Sequence, residues 1–141
     1  MPRLSLLQPQ EVEVFFILPA LRRDLARTMK NQLGLDQKTI AKRLGITEPA
    51  VSQYLNNKRA TKVVFSPRMQ DVILSCSKKI TDNISLIREV QYLISLAREE
   101  LVTCSLHEEL VPALKGCRAC KESIKERVFV PLSKNPNPQH T

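Results

Sequence analysis

The sequence predicts an all-α protein: a head of short helices, then a helical C-terminal region bearing a Cys/His knuckle of the metal-binding type. Three observations predict it. Apolar residues recur at three- and four-residue steps through most of the chain, and strand signals are weak. The only glycines are Gly34, Gly45 and Gly116, and each reads as a helix stop or a turn. There is no internal repeat, and 141 residues suit one compact domain or a small head with an accessory region.

The first helical unit covers roughly 10–33. Pro19 either starts a helix in its first turn or kinks a longer one. Beyond it, Leu21, Leu25, Met29 and Leu33 share one face, Arg22, Arg23, Arg27 and Lys30 take the other sides, and Gly34 ends the helix. Two short helices follow within 36–57. Residues 60–68 read as a linker, extended from Thr61 to Phe65, because Ser66-Pro67 disfavours helix just before the proline. Met69–Ile80 is expected to be one helix. Thr81 or Asp82 caps the next, which is expected to reach about Thr103. Its apolar stripe, Ile84, Ile87, Val90, Leu93, Ile94, Ala97 and Leu101, is wide enough to cover the protein's own core or a second subunit. Lys121–Val130 reads as a last short helix. Pro131–Thr141, with three prolines among polar residues, reads as a disordered tail. The domain division is therefore 10–66 for the head, 67–130 for a helical dimerisation and metal-binding region, and 131–141 for the tail.

Charge points to a partner class. The formal net charge is +8. Residues 1–66 hold 11 Lys/Arg against 5 Asp/Glu, a net of +6, and residues 67–141 hold 11 against 9, a net of +2. The excess sits in the head and favours a polyanion there. Aromatic residues are few and Trp is absent, which argues against base-stacking platforms for single strands or RNA loops. Val14-Phe15-Phe16-Ile17-Leu18 is too short to span a bilayer and follows Glu11 and Glu13. No signal peptide is read, and a bacterial or archaeal cytoplasm is the expected location.

The segment from Gln37 to Asn57 has the marks of a helix-turn-helix. Ala41 lets two helix axes cross closely, and Gly45 supplies a turn where positive φ is needed. Ile40, Leu44, Ile46, Val51, Tyr54 and Leu55 form the shared core. Thr47 is the N-cap of the second helix, Glu48 suits its positive end, and Pro49 fits its first turn. Glu48, Pro49, Ser52, Gln53 and Asn56 are the candidate base readers. Gln53 suits adenine edges and Glu48 suits cytosine N4. Gln37, Lys38, Lys42, Arg43, Asn57, Lys58 and Arg59 are the candidate phosphate contacts, which position a protein without reading sequence.

These residues resemble the phage-repressor-like (Xre-type) family. Leu18-Pro19-Ala20-Leu21-Arg22-Arg23, Leu44-Gly45-Ile46-Thr47 and Ala50-Val51-Ser52-Gln53-Tyr54-Leu55 are similar to small predicted regulators of archaea and some bacteria. The resemblance covers about 12–60, and the cysteine region more loosely. It implies a five-helix or similar all-α head that binds double-stranded operator DNA as a homodimer. Pro49 departs from the Gln or small polar residue of many relatives, which makes readout there less conventional than the scaffold.

Cys104-x2-His107 and Cys117-x2-Cys120, nine residues apart, make two chelating pairs that can close a tetrahedral zinc site. Gly116 suits a tight knuckle. Cys76 opens alternatives. It is either a small core residue or, in place of His107, the fourth thiolate of an iron–sulfur cluster. Cys117 and Cys120 can also act as a redox pair, with Arg118 favouring thiolate. Zinc ranks ahead of iron–sulfur, and both ahead of free thiols.

The expected function is sequence-specific transcriptional regulation, tuned by the metal or cluster. The alternative is an antitoxin-like or adaptor protein that mainly holds a protein partner. No enzyme is expected. His107-Glu108-Glu109 with Cys117-x2-Cys120 contains a zinc-deaminase pattern, but the gap is very short and no proline precedes the first cysteine.

Overall fold

The computed structural model describes residues 7–120. The chain begins in a long helical run of three parts: α1 (Pro9–Val12), a π turn (Glu13–Ile17) and α2 (Leu18–Asn31). The π turn explains Pro19. A proline inside a helix has no N–H to give and presses its ring on the carbonyl four residues back. Here the helix widens just before it, and the Leu18 N–H bonds the Glu13 carbonyl five residues away. Pro19 thus lies inside a continuous run rather than at its start. Gly34, at φ +66°, ends the turn after α2.

α3 (Gln37–Leu44) and α4 (Glu48–Leu55) are the two helices of the motif. Asp36 caps α3 by accepting from the Thr39 N–H at 2.8 Å. α5 (Pro67–Lys79) starts two residues before the expected Met69, because Ser66 accepts from the Met69 N–H and Pro67 fills the first position, where no N–H is needed. Asp82 is the cap of α6 (Asn83–Glu99), accepting from the Ser85 N–H at 2.8 Å. α6 stops short of the expected Thr103. Leu101 turns left-handed at φ +61°, and a separate α7 (Val102–Leu110) follows, with a 3-10 turn at Pro112–Leu114. The region 121–130, expected to be helical, and the tail 131–141 lie outside the described residues.

One cluster of buried side chains runs through the whole array. Leu21, Leu25 and Met29 of α2 meet Ile40 of α3 and Val51 of α4. Met69, Ile73 and Cys76 of α5, then Leu93 and Ala97 of α6, extend the same core. The boundary expected at 66 falls on the cap of α5, and the core crosses it, since α5 is packed directly on α2. The stripe of α6 divides. Leu93 and Ala97 are buried and Val90 and Ile94 are partly buried, whereas Ile84 and Ile87 are 72% and 60% exposed.

Two polar clamps cross this core. Arg23, expected on an outer face, is buried. It pairs with the adjacent Asp24 at 2.8 Å and donates to the Ala60 carbonyl, while Gln70 donates to the second Asp24 oxygen at 2.9 Å. α2, the linker and α5 are thereby fastened together. On the other side, Arg98 of α6 grips Glu13 of the π turn with two parallel bonds of 2.6 and 2.8 Å. That pairing holds the guanidinium pKa above its ordinary value, chiefly through the hydrogen bond to Glu13.

Candidate nucleic-acid interface

α3 and α4 are locked as a pair. Gly45 stands at φ +62°, and the Ile46 N–H returns to the Ala41 carbonyl at 3.1 Å, which closes the end of α3. Ala41 is buried at the crossing, with Ile40, Leu44, Val51 and Tyr54 beneath it. Thr47 accepts from the Ala50 N–H at 3.2 Å and fixes where α4 begins. α6 supports the turn from behind, where Leu86 faces Gly45.

This packing leaves a polar ridge outward. Glu48, Pro49, Gln53 and Asn56 are exposed, and Ser52 is partly buried. Gln53 has its amide free in solvent along the outer side of α4. Asn56 leans back, donating to the Ser52 hydroxyl at 3.3 Å. Of the expected phosphate contacts, Lys38, Lys42, Asn57, Lys58 and Arg59 are exposed, and Gln37 and Arg43 are partly buried. Lys38 and Lys42 stand one turn apart on α3, so both ammonium groups serve one side of the motif. Arg59 lies over the Tyr54 ring, 5.5 Å from its centre, which steadies the guanidinium at the edge of the ridge.

Sequence reasoning missed part of this surface. Arg27 and Lys30, at the end of α2, join Gln37, Leu55, Asn56 and Asn57 around a cleft of about 390 Å³. Arg27 donates to the Asn57 side-chain oxygen. Asn57 itself sits at φ +56°, a conformation asparagine tolerates better than most residues. The available signal was the i, i+3 spacing of Arg27 and Lys30 one turn before the motif. It is indistinguishable in sequence from an ordinary solvated helix face.

Cys104, His107, Cys117 and Cys120 line a cavity that no residue of the ridge joins. Cys104 and His107 are one turn apart on α7, and Cys117 and Cys120 follow the 3-10 turn. All four line one cavity of about 680 Å³, together with Leu7, Glu108 and Gly116. Among the described residues, no group of three or more His, Cys, Asp or Glu side chains is assembled to hold a metal ion. Cys76 is elsewhere. It is buried on α5 and faces a different cavity with Glu89, Arg88 and Tyr92. Burial pushes its thiol up to about 11, and the Glu89 carboxylate adds to the rise.

No helix among the described residues is long and apolar enough to cross a membrane. No curated protein and no solved structure matches the chain. Residues 25–63, from the middle of α2 into the linker, match the model of a helix-turn-helix family, and that match supports a DNA-binding transcription regulator in general.

Proposed function

We propose that the protein is a sequence-specific transcriptional regulator that binds double-stranded DNA as a homodimer. The observation that carries this reading is the outward ridge of α4. Its start is fixed by the Thr47 cap, its apolar side is spent on the core, and Glu48 and Gln53 are left exposed. A helix presented in this way enters the major groove with its N-terminal residues on the base edges. Lys38 and Lys42 on α3, with Lys58 and Arg59 after α4, flank the ridge and reach phosphates on either side. Arg27 and Lys30 extend that basic rim. Ile84 and Ile87, left exposed on α6, are the apolar positions for pairing two copies. The same positions favour the second reading, a protein that mainly holds a protein partner.

Duplex binding followed by fluorescence anisotropy across a salt series tests the reading. Each phosphate contact contributes about −0.9 to the slope of log K against log salt. Lys42→Ala is expected to make that slope shallower by about 1, on any sequence. A chain that binds no duplex at low salt, while holding a protein partner, contradicts it and leaves the second reading.

A further inference from the structure

The cavity beside α7 has a donor set that the DNA-binding reading does not use. We infer that Cys104, His107, Cys117 and Cys120 bind one zinc ion, and that Cys76 takes no part. Four observations carry this.

First, the fold brings both chelating pairs to the wall of a single cavity, although nine residues and a 3-10 turn separate them in sequence. Cys104 and His107, at i and i+3 on α7, point the same way.

Second, the second pair rides on a tight turn. The Cys117 N–H bonds the Leu114 carbonyl at 2.8 Å, Gly116 stands at φ +77°, and the Gly116 N–H donates to Glu108 of α7 at 3.2 Å. The turn is thus pinned to the helix that carries the first pair.

Third, His107 is prepared as a ligand. Its Nε2 lies 2.6 Å from the Leu7 carbonyl. A carbonyl can only accept, so Nε2 carries a proton, and Nδ1 is the nitrogen left to bind an ion. A zinc-bound histidine characteristically donates its other ring N–H in this way, which fixes both tautomer and orientation.

Fourth, a four-thiolate set would need Cys76. That residue is buried between α5 and α6 and faces another cavity. The set that shares a cavity is three sulfurs and one nitrogen, which is a zinc set.

The four donors do not converge by themselves, and closing on the ion is the step that zinc supplies. Binding of this kind is coupled to folding of the knuckle and releases the thiol protons. The ion would tie the segment after Gly116 to α7 and, through His107 and Leu7, to the start of α1. The site is thereby linked to the helical run that carries the head, without touching the ridge of α4.

Metal analysis of the full-length protein, purified without chelator, is the test. One zinc per chain is expected. Replacing the zinc with cobalt should give the visible bands of a tetrahedral thiolate site. Cys117→Ser with Cys120→Ser, which removes two of the four ligands, should abolish stoichiometric zinc binding. Cys76→Ser should leave the stoichiometry unchanged. Cys117 and Cys120 are exposed, so their serine variants remove no core contact, and circular dichroism is the check that the helices remain. Iron with sulfide in the protein, loss of metal in Cys76→Ser, or a chain without metal would each overturn the inference. Metal content is read without DNA, so this outcome is independent of the duplex-binding test.

Discussion

Gly45 is the residue on which the geometry of the motif turns. A side chain there would meet only Leu86, at an ordinary contact distance of 3.6 Å, so space is not the constraint. The constraint is the left-handed backbone, which costs an L-residue about 1–2 kcal/mol. Gly45→Ala is therefore expected to lose about that much stability in urea unfolding, with the fold retained. No loss would mean that the turn relaxes into another conformation. At this scale the sequence was legible wherever a residue type has one physical use. Gly45, Thr47 and Ala41 occupy the places their chemistry requires. Arg23 was not legible. Its burial depends on Asp24 beside it and on Ala60 and Gln70, which the chain brings near only by folding. Lys38 and Lys42 looked the same as Arg23 in sequence and turned out exposed.

Helix starts were legible where a cap stood beside a clear apolar pattern, as at Thr47 and Asp82. Asp36 and Ser66 cap helices in the same way but were not legible as caps, and Ser66 falls in the expected linker because of the proline after it. The end of α6 carried no such mark. Leu101 adopts a left-handed turn without glycine, so the periodic apolar pattern ran on unbroken while the helix did not. The π turn before Pro19 was equally silent, because widening a helix changes no residue preference.

Two of these caps make a pH prediction. Hydrogen bonds from Thr39 hold the Asp36 carboxyl below the usual carboxylate range, and those from Ser85 do the same for Asp82. A pKa lowered by folding adds stability at neutral pH, and this is lost as pH falls through the folded value. Asp36→Ala and Asp82→Ala should each destabilise at pH 7, and the penalty should shrink below about pH 4. Thermal unfolding across that range checks it. A penalty that stays constant down to acid pH would show that the charge on the carboxyl contributes nothing to the cap.

For the molecule as a whole, one core unites the head with α5 and α6, and the Arg23–Asp24 clamp is its polar centre. Asp24→Ala leaves the Arg23 guanidinium buried without its carboxylate, which costs about 3–5 kcal/mol. Unfolding of α2 and α5 should shift together in that variant, as seen by hydrogen exchange. Independent shifts would show that the clamp does not couple them. The all-α class and the motif were legible from periodicity, because each short helix must bury one face. Spacing placed Cys104 and His107 one turn apart on a helix, while the shared cavity of the two pairs and the separate position of Cys76 required the packing.

The central claim is that α4 reads DNA sequence through its outward ridge. It is tested most directly by Gln53→Ala, measured on the best duplex selected from a random pool and on random-sequence duplex. The exposed amide carries no core contact, so the variant should fold as the parent does. Loss of a bidentate base contact is expected to cost about 1–3 kcal/mol on the selected site. Binding to random sequence, which the proposed function assigns to Lys38, Lys42, Lys58 and Arg59, should change little. Equal losses on both duplexes, or no loss on the selected one, would contradict the claim.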